Sequence, residues 1–160
     1  MPGCAKDIGI GVDDSVWIIG CRSGADGPIF KWNGSSWVAD SANGFAKRIS
    51  VLANGIPVTV HSNGTIYRRS SANVSSGSWN QLPGRAFDIG AQAYAWVIGE
   101  GTFGAGGRVH VWNEQSALGT NAPARAEWVP VNAGAAEVDV DRSGTAWLVD
   151  TNGTIHVATR

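Results

Sequence analysis

The stretch DVDRSG at 139–144 sets Asp139, Asp141 and Ser143 two residues apart, with Asp150 at the twelfth position counted from Asp139. Alternating side-chain oxygens followed by a distal carboxylate are what a calcium loop supplies, provided backbone carbonyls converge with them. An EF-hand needs a helix after that loop, and here the residues beyond Gly144 alternate like a strand. DRSG therefore reads as a type I turn with a glycine bulge, and no metal site is assigned.

Other reactive groups are few. The chain has three histidines, His61, His110 and His156, and the last two share a register with Phe30 and Tyr67, which marks them as variants of one packing position. No Cys/His metal spacing, no Gly-x-Ser-x-Gly and no phosphate-cradling loop before a helix occurs. FGAGGR (103–108) is glycine-rich but falls in a loop. An enzyme would need paired ionisable groups with shifted pKa values. Asp26 with Arg108 and His61 with Asp150 are the pairs to inspect; neither is assigned a catalytic role, and no cofactor is expected.

Sugar recognition asks for something else: planar polar groups around hydroxyls, and an aromatic face against ring C–H groups. Asp26, His61, Asn63, Arg85, Phe103, Arg108, Asn132, Asp150 and Asn152 supply that chemistry if one loop face gathers them. Asn63 and Asn152 also have a plainer role, as turn formers.

The elements that would position these residues announce themselves by repetition. HSNGTIY (61–67) has a near-copy in DTNGTIH (150–156), and Asn-Gly between apolar runs is a hairpin signal. Aligning the chain on that cassette exposes four units opening at Ala5, Ala46, Ala86 and Ala135. Each continues with a second apolar run (Trp17, Val58, Trp96, Trp147) and a third (from Ile29, Ile66, Val109 and Ile155). A fourth run, around Trp37, Trp79 and Trp128, closes the first three units, and the last unit lacks it.

Four short strands in about 40 residues is the pattern of a propeller blade. The expectation is one all-β domain over 1–160: a small β-propeller of about four blades, at 3–41, 42–83, 84–131 and 132–160. Each blade has four antiparallel strands, the last being short of one. The third unit's extra length falls in loops at 99–108 and 113–127. First strands rich in small residues (Gly9, Ser50, Gly90) suit the crowded axis. Trp17, Trp96 and Trp147 are expected in the core, since a buried aromatic removes ~150–250 Å² from water. The ring is expected to close at four blades, with some association through the open edge of blade four, as unpaired edges allow; membership of a longer ring is the alternative.

Composition agrees with a folded β protein: 43% hydrophobic residues, 22 Gly and 8 Trp. A net charge of −1 with 16% charged residues marks neither a nucleic-acid arm nor a basic membrane surface. No apolar run reaches ~18 residues, and MPGCAKDIG has no signal-peptide character. The expected location is cytoplasmic or non-classically secreted. In that setting Cys4 and Cys21, flanking the first hairpin, are expected to be reduced, with a cross-strand disulfide as the alternative.

SWNQLPGRAFDIG (78–90) followed by YAWVIG, and GCAKDIGIGVDDSVWIIG with PIFKWNGSSW, resemble the tectonin-type β-propeller repeat. The resemblance covers essentially the whole chain. Val58 replaces the second-strand tryptophan and Arg48 the usual Asp in unit two, while Glu137-Val138 replaces Asp-Ile in unit four. What the resemblance implies is a lectin, with glycans as partners and no catalysis. Family members that serve as protein-interaction modules supply the alternative, a scaffold using the same loop face or the open edge.

Overall fold

The two matching cassettes fold into the same turn. The His61 N–H donates to the Thr65 carbonyl at 2.9 Å and the Gly64 N–H to the His61 carbonyl at 2.9 Å. Asp150, Gly153 and Thr154 repeat both bonds at 3.0 Å. Gly64 and Gly153 carry the positive φ, +86° and +81°, that closes a type I turn into an antiparallel ladder. The pattern recurs at Gly11–Ser15, Leu52–Ile56 and Asp141–Thr145, so one turn solution builds five of the hairpins.

The computed structural model describes residues 3–22, 24–113 and 127–158. The first sheet orders β1 (Ala5–Ile10), β2 (Val16–Gly20), β3 (Gly27–Trp32) and β4 (Trp37–Ala39), with β5 (Phe45–Ala46) also pairing β3. A second sheet runs from β6 (Arg48–Val51) through β7 (Pro57–Val60), β8 (Thr65–Arg69), β9 (Trp79–Ala91), β10 (Ala95–Gly99) and β11 (Gly107–Asn113) to β12 (Glu127–Ala135). A third holds β13 (Glu137–Val140), β14 (Ala146–Val149) and β15 (Ile155–Ala158). All pairings are antiparallel, and the last sheet has three strands among the described residues.

The repeat is visible, but β9 and β12 run straight through two of the expected boundaries. Trp79–Arg85 of β9 pairs with β8, whereas Ala86–Ala91 pairs with β10. One strand thus closes unit two and opens unit three. Most of the 113–127 insertion lies outside the described residues.

Alternation sends each strand's apolar residues to both sides, so every pair of neighbouring units shares a core layer. Trp17, Ile19 and Ile29 share one with Ile49 and Val51. Val58, Val60 and Ile66 lie with Ile89 and Ala91, and Trp96, Ile98 and Val109 with Val138 and Val140. Each such side chain contributes ~1.5–3 kcal/mol when fully buried. The inner strands β1, β6, β9 and β13 line a common opening of about 730 Å³. Between them the approach is close: a Cβ added at Gly9 would lie 3.0 Å from the Ser50 Cα, and one at Gly90 3.0 Å from the Asp139 Cα. That is why these positions carry no side chain.

Two expectations are corrected. Cys4 and Cys21 are joined by a disulfide, not reduced: the end of the β1–β2 ladder brings their Cα atoms to 5.3 Å, with the Cys21 N–H bonded to the Cys4 carbonyl. Trp147 is 47% exposed, whereas Trp17 and Trp96 are sealed at 0%. No other sheet covers its face of β14 among the described residues.

Candidate binding site

Neighbouring loops that join second to third strands, and each unit to the next, are hydrogen-bonded to one another. They spend most of their polar groups on one another. Asp26 accepts the Ser62 N–H at 2.7 Å and the Ser62 hydroxyl at 3.0 Å, and His61 Nδ1 lies 4.0 Å from its carboxylate. Burial lowers the His61 pKa, with Asp26 pulling the other way. Arg85 donates to the Asn63 carbonyl and, at 2.8 Å, to Glu100. The Arg108 guanidinium stacks 4.0 Å over the Phe103 ring, and the same loop binds the fourth unit through Thr151 N–H and the Ala105 carbonyl at 2.9 Å.

These contacts form a row of local clusters. Asp26 pairs with unit two rather than with Arg108, and Asp150 pairs with His156 at 3.2 Å rather than with His61. Asn132 is exposed on β12. Asn63 is a turn former, its Oδ1 accepting the N–H and hydroxyl of Thr65 at 3.0 and 2.7 Å. In the twin turn that task falls to Asp150, which accepts from the N–H groups of Thr154 and Asn152. The same bonds hold the Asp150 carboxyl below its ordinary pKa, the Thr154 N–H contributing most. The Asn152 residue is exposed.

The calcium-like stretch is likewise a turn. Asp141 Oδ1 accepts from Ser143 and Thr145 N–H at 2.8 and 3.1 Å, and Oδ2 from Trp147 Nε1 at 3.1 Å. The Ser143 hydroxyl is foremost among the donors that hold this carboxyl down at about 2.

A more enclosed site lies at the opposite end, between units two and three. There the β6–β7 turn and the β9–β10 turn flank a pocket of about 160 Å³. The Ala53 N–H bonds the Gln92 carbonyl at 2.8 Å and holds the two turns together. Buried Trp112 and partly buried Leu82 give an apolar lining, Tyr94 is exposed beside it, and Arg68, Asn54 and Gln92 supply polar groups. The Gln92 Oε1 is buried with no hydrogen-bond partner among the described residues. Such an atom costs ~1–3 kcal/mol unless something satisfies it. Trp112 meets Trp128 edge to face, with centroids 4.8 Å apart, which fixes its orientation.

Sequence reasoning missed these residues. The available signal was AQAYA (91–95), an aromatic in a turn where the other units place Asp, Asn or Ser.

Among the described residues no group of three or more His, Cys, Asp or Glu is arranged to hold a metal. No curated protein matches the chain. A family model described as the Tectonin domain matches residues 1–160. Tectonin domains are lectin-like or interaction domains. With its full length matched and its all-antiparallel β architecture in keeping, the chain belongs to the tectonin-domain family.

Proposed function

We propose that the four units are blades of a small β-propeller that binds glycans through loop-end sites, without catalysis. The observation that carries this reading is the pocket between units two and three. It sets an aromatic lining beside an unsatisfied amide oxygen, and a sugar offers both a C–H face and hydroxyl donors. The polar row from Asp26 to Asn152 at the other end is the second candidate surface. Repeated weak sites on one rigid body gain by avidity, which suits multivalent glycans. The Cys4–Cys21 bridge favours an oxidising setting, so of the two expected locations non-classical secretion is the one proposed.

The test compares glycan binding by a Gln92→Leu/Tyr94→Ala double variant and an Asn63→Ala/Asn152→Ala double variant. Loss in the first alone assigns the pocket, and loss in the second alone assigns the opposite face. A folded wild-type chain that binds no glycan sinks the reading. The bet then moves to a protein-interaction scaffold, for which the edge strand β15, paired only with β14 among the described residues, is the favouring observation.

A further inference from the structure

Every junction between neighbouring units follows one rule. The second strand of one unit and the first strand of the next share a core layer: Trp17 with Ile49 and Val51, Val58 with Ile89 and Ala91, Trp96 with Val138 and Val140. Where an Asp stands at the register of Asp7, it reaches across and accepts a backbone N–H of the next first strand. Asp7 takes the Ile49 N–H and Asp88 the Val138 N–H, each at 2.8 Å.

Both halves of this junction also occur uncovered. Trp147 stands at the register of Trp17 and Trp96 but is 47% exposed, beside Ile155 and Val157 at 67% and 53%. Ile8 and Ile10 stand at the register of Ile49 and Val51 but are 55% and 59% exposed. Glu137 holds the register of Asp7 and Asp88 and is exposed too. Both faces line the 730 Å³ opening, and each stays exposed among the described residues.

We propose that a second copy of this chain covers both faces. The Trp147 face of each copy packs on Ile8 and Ile10 of the other, and Glu137 accepts the Ile8 N–H across the junction. The two copies close into a ring with two identical junctions, each built like the three already inside the chain. Two-fold closure makes the pair isologous, Trp147 of each copy meeting Ile8 of the other, and it uses up both faces, which prevents open-ended growth.

Light scattering after size exclusion, across a concentration series, tests this with the 160-residue chain and two variants, Trp147→Asp and Ile8→Asp. Both positions are exposed, so each variant should keep the wild-type circular dichroism. The expected result is twice the chain mass for wild type and the single-chain mass for either variant. An equimolar mixture of the variants should pair again, because such a pair retains one wild-type junction whereas either variant alone retains none. Four results overturn the proposal. They are a single-chain wild type at every concentration, a mass above two copies, a pair lost to Trp147→Asp but not to Ile8→Asp, and a pair that survives both.

Discussion

Arg69 donates its Nε and Nη2 to Asp40 Oδ1 at 2.9 and 2.7 Å, with both side chains sealed from solvent. The pair joins the loop after β4 to the end of β8, and nothing on it is left over. Arg69 Nη1 bonds the carbonyls of Ser71, Asn73 and Ser76, while Asp40 Oδ2 accepts the Gly44 N–H at 2.9 Å and Trp79 Nε1 at 2.7 Å. A buried guanidinium so satisfied is tolerable; one stripped of its carboxylate is not. Asp40→Ala should cost roughly 3–5 kcal/mol in urea unfolding. The Asp40→Ala/Arg69→Met double variant should lose less than the sum of its single variants by ~1 kcal/mol or more. Strict additivity would contradict this account of the pair.

Asp88 makes stability depend on pH in an uncommon direction. Burial pushes its carboxyl up to about 6, against the partial relief of the Val138 N–H and of Arg48, whose Nε lies 3.4 Å away. Between the unfolded value near 3.8 and the folded value, the folded chain holds the extra proton. Asp88 therefore adds stability as pH falls from 7 toward 4, and that contribution is lost as pH rises through about 6. Its size is roughly 2–3 kcal/mol. Asp141 and Asp150, both held low, act the other way, and their contribution is lost only as pH falls further. His61 and His110, whose pKa values burial lowers, oppose Asp88 within the same window, so the comparison is with the variant: the unfolding midpoint of wild type relative to Asp88→Asn should fall as pH rises from 4 to 7. An unchanged slope in the variant would refute the assignment.

The Cys4–Cys21 bridge closes a short loop around the first hairpin, a separation of 17 residues. Reduction, or the Cys4→Ser/Cys21→Ser double variant, should lower stability by ~2–4 kcal/mol. Thiol titration of the unfolded, unreduced chain should find no free thiol; two reactive thiols would overturn the assignment.

How much of this was legible beforehand follows from what periodicity can carry. Repeated turn chemistry marked the hairpins, because that turn needs a positive φ, which Gly64 and Gly153 supply in the twin cassettes and Asp14 in the first hairpin. The aligned registers placed Trp17 and Trp96 correctly in core layers. Trp147 obeys the same local pattern, but its burial depends on a neighbouring face that local pattern does not encode. The disulfide escaped because pairing depends on three-dimensional approach, while the sequence spoke only to compartment. The pocket near Tyr94 escaped for a similar reason: it forms between two turns about 40 residues apart, neither of which is unusual alone.

The close approach of inner strands gives a separate check on the packing. Gly90→Ala puts a methyl 3.0 Å from the Asp139 backbone, where backbone has to shift, and should cost ~1–3 kcal/mol. Ser50→Ala removes only the hydroxyl that accepts the Ala91 N–H at 2.8 Å, and should cost about 1 kcal/mol. Chemical unfolding of the two variants should rank them in that order, and the reverse order would contradict the close approach.

The most direct test of the central claim is a glycan array probed with the folded, disulfide-bonded chain, including methylated and acetylated sugars. The account predicts selective binding to a defined set of glycans, strengthened when they are displayed densely. A blank array from protein with wild-type circular dichroism would contradict it.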